Sequence, residues 1–259
     1  MRLTAVALDS LADVCLAVPA LCVENVFNAA KKYTWTDGDD PMPKELLDQL
    51  AATIEPLFYF ALVWSVGCVT DSTGRDKFDQ WLREKMADNE AQLPFPEDGS
   101  IYDYMLLEGE AAVDTPGTPP YWTGWLDTVP VYAVPPKARF EDIIVPTKDS
   151  VCYTYLLDLL TKNGVMTMHA GVSGTGKTVN VMRYMQTGID PMKQLPLSLT
   201  FSAQTSANMT QDILDGKMDK RRKGVFGPPN GKKYLLLVDD LNMPKKEVSA
   251  AILASASMS

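Results

Sequence analysis

Histidine is nearly absent: His169 is the only one in 259 residues. Cysteine is scarce as well. Cys15, Cys22, Cys68 and Cys152 are the full set, and no two of them form a C-x-x-C pair. A structural zinc site needs about four clustered Cys or His ligands, so none is readable, and the thiols are expected to be buried and reduced. Long apolar runs are missing too. The longest, "PLFYFALVWSVGCV" at residues 56–69, is shorter than the roughly 20 residues that span a bilayer. It predicts a buried helix and no membrane partner. The first residues carry one arginine among apolar and acidic positions, which makes a poor signal peptide. Positive charge is in deficit: the net charge is −9, which argues against a whole-surface nucleic-acid binder. No internal repeat of 20 to 50 residues is visible.

Hydrophobic residues make up 46% of the chain, enough for a packed core. Residues 1 to about 92 read as helical. Leu8, Leu11, Cys15, Cys22 and Phe27 recur at helical spacing, with a break at Pro19. Leu46, Leu47, Leu50, Ile54, Leu57, Phe58, Ala61 and Leu62 share one broad face of a second stretch. After a turn at Gly74, Phe78, Trp81, Leu82 and Lys85 are spaced for a third helix. Residues 93–146 are dense in Pro and Gly. Between the breaks lie "SIYDYMLL" and "VPVYAV", which predict short strands or a hairpin. Tyr121, Trp122, Trp125 and Tyr132 predict an aromatic packing cluster.

From residue 147 the pattern changes again. "TKDSVCYTYLLDLLTKNG" reads as a helix with Thr147, Asp149 and Ser150 as candidate N-caps and an end at Gly164. Then follow a short strand "VMTMHA", a glycine-rich loop, a helix from about Lys177 to Gln186, a strand "LPLSLTFSA", a helix "SANMTQDILDGKMD" and a strand "KKYLLLVDD". This alternation predicts a parallel α/β sheet.

The loop "GVSGTGKT" fits G-x-x-x-x-G-K-[ST], with Gly171, Val172, Ser173, Gly174, Thr175, Gly176, Lys177 and Thr178 as candidate nucleotide-binding residues. Glycines let the backbone curl so that N–H groups face phosphate oxygens, and the following helix adds its positive end. The lysine reaches the β and γ phosphates, and the threonine hydroxyl ligates Mg²⁺. "LLLVDD", residues 235–240, fits the partner strand, expected to be buried on both faces, with Asp239 at its end holding Mg²⁺ through water. Asp240 is the candidate catalytic carboxylate. Many NTPases of the AAA+ class place Glu there; Asp is one methylene shorter, so binding is better supported than hydrolysis. His169, at the end of the strand before the loop, predicts a structural role. The basic run "KRRKGVFGPPNGKK" at residues 220–233 predicts a tight loop facing an acidic module rather than nucleic acid.

"FSAQTSANMTQDILDGKMDKRRKGVFGPPNGKKYLLLVDDLNMP" resembles the third AAA+ module of dynein heavy chains, most closely of the axonemal kind. "FYFALVWSVG", "GRDKFDQWLRE", "LPFPEDGSIYDY" and "FEDIIVPTKDSVCYTYLLDLL" resemble the end of the second module, its helical lid and the run into the third. The resemblance covers roughly residues 20–246. It implies an α/β P-loop NTPase (AAA+) fold with a truncated parallel sheet. Residues 1–146 would be the preceding lid with a β-rich connecting segment, residues 147–246 an incomplete P-loop core, and residues 247–259 an unrelated tail. In the family's sheet order, 5-1-4-3-2, the P-loop strand neighbours strands four and five, both expected beyond residue 259. The resemblance also implies ATP or ADP with Mg²⁺ as cofactors, and Val145, Pro146 and Thr147 as candidates for the adenine pocket. Implied partners are the other AAA+ modules of the same chain, dynein intermediate and light chains, and microtubules. The implied place is the cytoskeleton of a ciliary or flagellar axoneme, in a minus-end-directed motor whose third module is regulatory. Two alternatives stand beside it: a structural nucleotide holder without turnover, and an AAA+ nucleic-acid remodeller.

Overall fold

The computed structural model describes residues 2–5, 43–110, 117–133, 143–229 and 231–244, with the backbone alone for residues 2–5. The chain divides into two compact units, Met1–Lys177 and Thr178–Ser259.

The first unit opens with strand β1, Arg2–Ala5, in a segment expected to be helical. Its core is built around helix α1, Lys44–Ser65. Leu46, Leu50, Leu57, Phe60, Ala61, Val63 and Trp64 are buried along it. Leu47 and Ile54, expected on the same face, are 41% and 51% exposed. At about 100° per residue they fall on the flank of the stripe that Leu46, Leu50, Leu57 and Trp64 define. With the 3-10 turn that follows it, the helical stretch Lys44–Val69 is long and apolar enough to cross a bilayer, contrary to the expectation from the shorter run. Over half of its most apolar window (56%) is buried inside the protein, as in a core helix.

Helix α2, Ser72–Asp88, starts where the Asp71 side chain accepts the Gly74 N–H at 2.8 Å. Gly74 therefore sits in the first helical turn and is not the turn expected from its residue type; the cap overrides the glycine. Leu82 and Met86 face the core, while Trp81 is 46% exposed. The helix stops with Glu90 in the left-handed region, φ 51°, and the Ala91 N–H bonded back to Met86 O at 2.9 Å. Arg83 leaves the helix to bind the next segment, donating to the Pro96 carbonyl at 2.7 Å and the Gly99 carbonyl at 3.2 Å while paired with Asp79.

The Pro- and Gly-rich region holds one hairpin among its described residues. Strand β2, Tyr104–Leu107, pairs antiparallel with β3, Tyr121–Gly124. The second strand is thus "YWTG" and not "VPVYAV", whose described residues form no strand and whose Val131 is 96% exposed. The four aromatic residues do not form one cluster. Trp122 stacks on Phe95 at 4.0 Å and donates to Leu93 O. Trp125, 1% exposed, packs against Phe60, Trp64 and Tyr155. Tyr121 is half exposed. The span between β2 and β3 is closed at its neck: the Gln49 amide donates to both Glu110 O at 2.6 Å and Thr118 O at 2.7 Å, and the Thr118 N–H donates to Glu110 O.

Helix α3, Lys148–Lys162, has Thr147 as its N-cap in a reciprocal box with Ser150. Gly164, φ 72°, closes its far end, with the Val165 N–H on Leu160 O. Cys152, Tyr153, Leu156, Leu157 and Leu160 face the core. Strand β4, Thr167–Ala170, pairs antiparallel with β1. The remaining helical expectations before residue 43 lie outside the described residues.

Helix α4, Lys177–Thr187, begins at the division between the units and buries Val181, Tyr184 and Met185. In the second unit, strand β5, Gln194–Thr200, runs parallel to β8, Lys233–Asp239, in register from Gln194↔Lys233 to Thr200↔Asp239. Helix α5, Ala207–Lys217, lies between them in sequence, capped by Ser206. Among the described residues β4 pairs only with β1, antiparallel, whereas the alternation of elements predicts it in the parallel sheet. The basic run, expected as a loop, forms an antiparallel hairpin of β6, Asp219–Arg222, and β7, Val225–Gly227. Strand β8 is not buried on both faces: Leu236 is 42% exposed, and of β5 only Leu199 is fully buried. A two-stranded pair leaves more of each face open than the multi-stranded sheets in which parallel strands are covered on both sides.

Helices α2 and α3 end in the same left-handed bend, with Glu at one and Gly at the other. A non-glycine residue there costs about 1 kcal/mol. Glu90→Gly should therefore raise the stability of the chain by about that amount, read as a higher urea midpoint with an unchanged slope.

Candidate functional site

The segment after β4 is open and glycine-shaped. Gly174 and Gly176 have φ of 82° and 76°, and a Cβ placed on either would meet no atom within 4 Å. Side chains are thus excluded at these positions by backbone conformation, while the space beside them is free. Among the described residues no acceptor takes the N–H of Gly174 or Gly176. Lys177 folds back over the loop and donates to Gly171 O at 3.0 Å and Val172 O at 2.7 Å, with the Thr175 hydroxyl at 3.3 Å. The Thr175 hydroxyl itself donates to Val172 O. A cation held by neutral carbonyls, beside free backbone donors at a helix start, suits an anion of phosphate size. Ser173 and Val172 are exposed in the same loop.

In the second unit, Thr178 and Asp239 meet. The Thr178 hydroxyl donates to Asp239 Oδ1 at 3.2 Å, across 61 residues of chain. The parallel register delivers Asp239 to the end of β8, opposite Thr200, where its carbonyl accepts the Phe201 N–H at 3.0 Å. Asp239 Oδ1 also accepts the N–H of Asp240 at 3.1 Å. Asp240 is exposed and has φ 54°, in the left-handed region. The sequence marks its residue type but not this backbone state. A hydroxyl beside a carboxylate is a donor set suited to Mg²⁺, a hard cation that takes oxygen ligands and keeps several waters. Both sets of residues thus fit the groups that the sequence motifs imply.

Val145, Pro146 and Thr147 stand at the start of α3. Val145 is 57% exposed, and the Thr147 hydroxyl is engaged with the Ser150 N–H as the helix cap. Burial favours the protonated thiol at both described cysteines. Burial pushes Cys68 up to about 11, and Cys152 is raised well above the usual thiol range by burial and by Asp149. Cys15 and Cys22 lie outside the described residues. His169 is enclosed, and neither ring nitrogen is hydrogen-bonded to a described residue. Burial lowers its pKa to about 4, so it is neutral at pH 7. Of the basic hairpin, Lys220, Arg222 and Lys223 are exposed, and the Arg221 guanidinium turns back onto Pro228 O.

The His169 environment has a sign. The unfolded chain binds the proton near the ordinary pKa of about 6.5, the folded chain only near 4. Stability contributed by neutral His169 is complete above about 6.5 and is lost as pH falls toward 4. In His169→Leu, urea midpoints measured across that window should lose this part of their pH dependence.

Comparison with known proteins agrees with the geometry. Residues 11–112 match the family described as the dynein heavy chain AAA lid domain, and residues 132–254 match the P-loop containing dynein motor region. The mouse protein named dynein axonemal heavy chain 1 is 43% identical over 227 residues, covering 83% of this chain and 5% of that protein. Rat dynein axonemal heavy chain 12 is 38% identical over 203 residues, covering 73% of this chain and 6% of that one. Human dynein axonemal heavy chain 3 is 35% identical over 217 residues, covering 78% and 5% respectively. The chain thus spans about a twentieth of the length of the curated relatives it matches. The chain belongs to the dynein heavy chain family.

Proposed function

We propose, from that membership as premise, that the chain is a nucleotide-binding part of an axonemal dynein heavy chain, comprising the lid of the second AAA+ module and the first part of the third. Residues 1–146 are the lid with its connecting segment, residues 147–246 the incomplete P-loop core, and residues 247–259 a separate tail. The bound group is ATP or ADP with Mg²⁺. Residues Gly171 to Thr178 hold the phosphates, Thr178 and Asp239 hold the cation, and Val145, Pro146 and Thr147 stand near the base. Bound Mg²⁺ would neutralise phosphate charge. The chain's own groups bind and orient: Lys177 exchanges two carbonyls for phosphate oxygens, and the free N–H groups of Gly174 and Gly176 take others.

The observation that carries this reading is the Thr178–Asp239 contact at 3.2 Å. It joins the last residue of the glycine-rich motif to the first carboxylate of "LLLVDD", the two residues for which the motifs predict a shared cation. The wider setting is a minus-end-directed microtubule motor of a cilium or flagellum, with the other AAA+ modules, intermediate and light chains and the microtubule as partners, and with this module regulatory. One observation favours a second reading, a nucleotide held without turnover. Asp240 is shorter than Glu and lies in a left-handed turn, so its carboxylate reaches a different volume from that of a Glu in an extended strand, and errors near 1 Å cost on the order of a hundredfold in rate.

Lys177→Ala removes the charge that meets the phosphates. Affinity for a fluorescent ATP analogue in the presence of Mg²⁺ should fall at least about tenfold, which is about 1.4 kcal/mol. Equal affinity in the variant would sink the assignment of the loop.

A further inference from the structure

We infer that Asp240 sets the Asp239 carboxylate through its backbone, and that its own carboxylate is dispensable for this. The inference deepens the proposed function and rests on it for the identity of the ligand. It concerns a positioning residue, since Asp240 acts on the cation pair through Asp239.

Asp239 Oδ1 has two donors, the Thr178 hydroxyl at 3.2 Å and the Asp240 N–H at 3.1 Å. The first bond joins two elements distant in sequence. The second is local, and it orients the carboxylate before any cation is present. The Oδ2 atom accepts no hydrogen bond from a described residue, so one oxygen is fixed and the other is left for a ligand. The strand ends abruptly to allow this. At Asp239 the carbonyl is still in the β5–β8 pair, accepting the Phe201 N–H. One residue later the chain enters the left-handed region at φ 54°. The carbonyl of Asp240 then closes a turn by accepting the Met243 N–H at 2.9 Å. The Asp240 N–H is thereby withdrawn from the ladder and held against the preceding carboxylate.

This accounts for the residue type. Left-handed backbone strains most L-residues, does not strain glycine, and is tolerated by Asp and Asn above other side chains. The Asp240 side chain itself is exposed and makes no hydrogen bond to a described residue. Glu at this position would carry the left-handed strain that Asp tolerates better.

Asp240→Gly and Asp240→Ala separate the two roles. Both delete the carboxylate, and only glycine keeps the turn without strain. Each is combined with Thr178→Val, and the unfolding equilibrium in urea is measured without nucleotide. If the turn holds Asp239 on Thr178, adding Thr178→Val should raise the unfolding equilibrium constant about fivefold in the parent chain and in Asp240→Gly. In Asp240→Ala the same change should raise it by less than about twofold. Asp240→Asn should behave like the parent. An equal effect of Thr178→Val in the Gly and Ala variants overturns the inference. The Mg²⁺-dependent part of fluorescent ATP-analogue binding gives a second reading: it should persist in Asp240→Gly and weaken at least about threefold in Asp240→Ala. Equal losses in the two variants would assign the effect to the side chain and overturn the inference. If no variant, parent included, holds the analogue, the proposed nucleotide site fails, while the stability cycle still decides on the turn.

Discussion

The parallel pairing of β5 with β8 is the constraint on which the Thr178–Asp239 contact depends. Seven consecutive pairs, Gln194↔Lys233 through Thr200↔Asp239, fix where β8 stops relative to its neighbour. A slip of one residue would turn every side chain of β8 to the opposite face and carry Asp239 away from Thr178. The register is held at its start by ladder and side-chain bonds: Lys233 N–H to Lys193 O at 2.8 Å, and the Lys232 ammonium to Pro191 O at 2.9 Å. The Tyr234 hydroxyl adds a tie to Lys217 O at the end of α5. A chemical pair at one end of the strand is thus secured by contacts at the other.

The first unit reaches its stability by different means. Its core is aromatic, with Trp64 edge-on to Tyr102, Trp125 and Tyr153 at 5.8, 5.9 and 6.5 Å. Edge-to-face pairs of this kind add about 0.5–1.5 kcal/mol each beyond their burial. Irregular backbone is tied to it by long polar side chains. Arg83 supplies donors to the carbonyls of Pro96 and Gly99, groups that have no strand partner to serve them. Arg75 lies over the Tyr102 ring at 4.8 Å and donates to Cys68 O. Arginine suits both places because its planar fork stacks and donates at once.

Sequence patterns reveal what is local and miss what is set at a distance. The helix starting after Thr147 and ending at Gly164 is readable because cap and stop lie within one turn of the ends. The parallel pair is readable because its strands are short apolar runs separated by a helical pattern. Gly74 misleads because the Asp71 cap, three residues earlier, outweighs its turn preference. "VPVYAV" has the composition of a strand, but "YWTG" becomes one because the Trp122 ring finds Phe95 and its N–H finds Leu93 O, contacts no window of sequence displays. The pairing of β4 with Arg2–Ala5 joins segments far apart in the chain, from Arg2↔Ala170 to Ala5↔Thr167. At the site, residue types in "GVSGTGKT" and "VDD" mark the positions, whereas the left-handed turn at Asp240 depends on where the ladder ends, which a strand pattern does not encode.

The neck made by Gln49, Glu110 and Thr118 has a use of its own. Because one amide grips the carbonyls on both sides, the strands that flank it are held together independently of what the chain does between them. Lengthening a loop whose ends are already fixed costs little, about 0.6 kcal/mol per doubling. The chain can therefore be lengthened between Glu110 and Thr118 by a peptide tag or a fluorescent reporter, with Gln49 acting as the clasp that keeps the two carbonyls together.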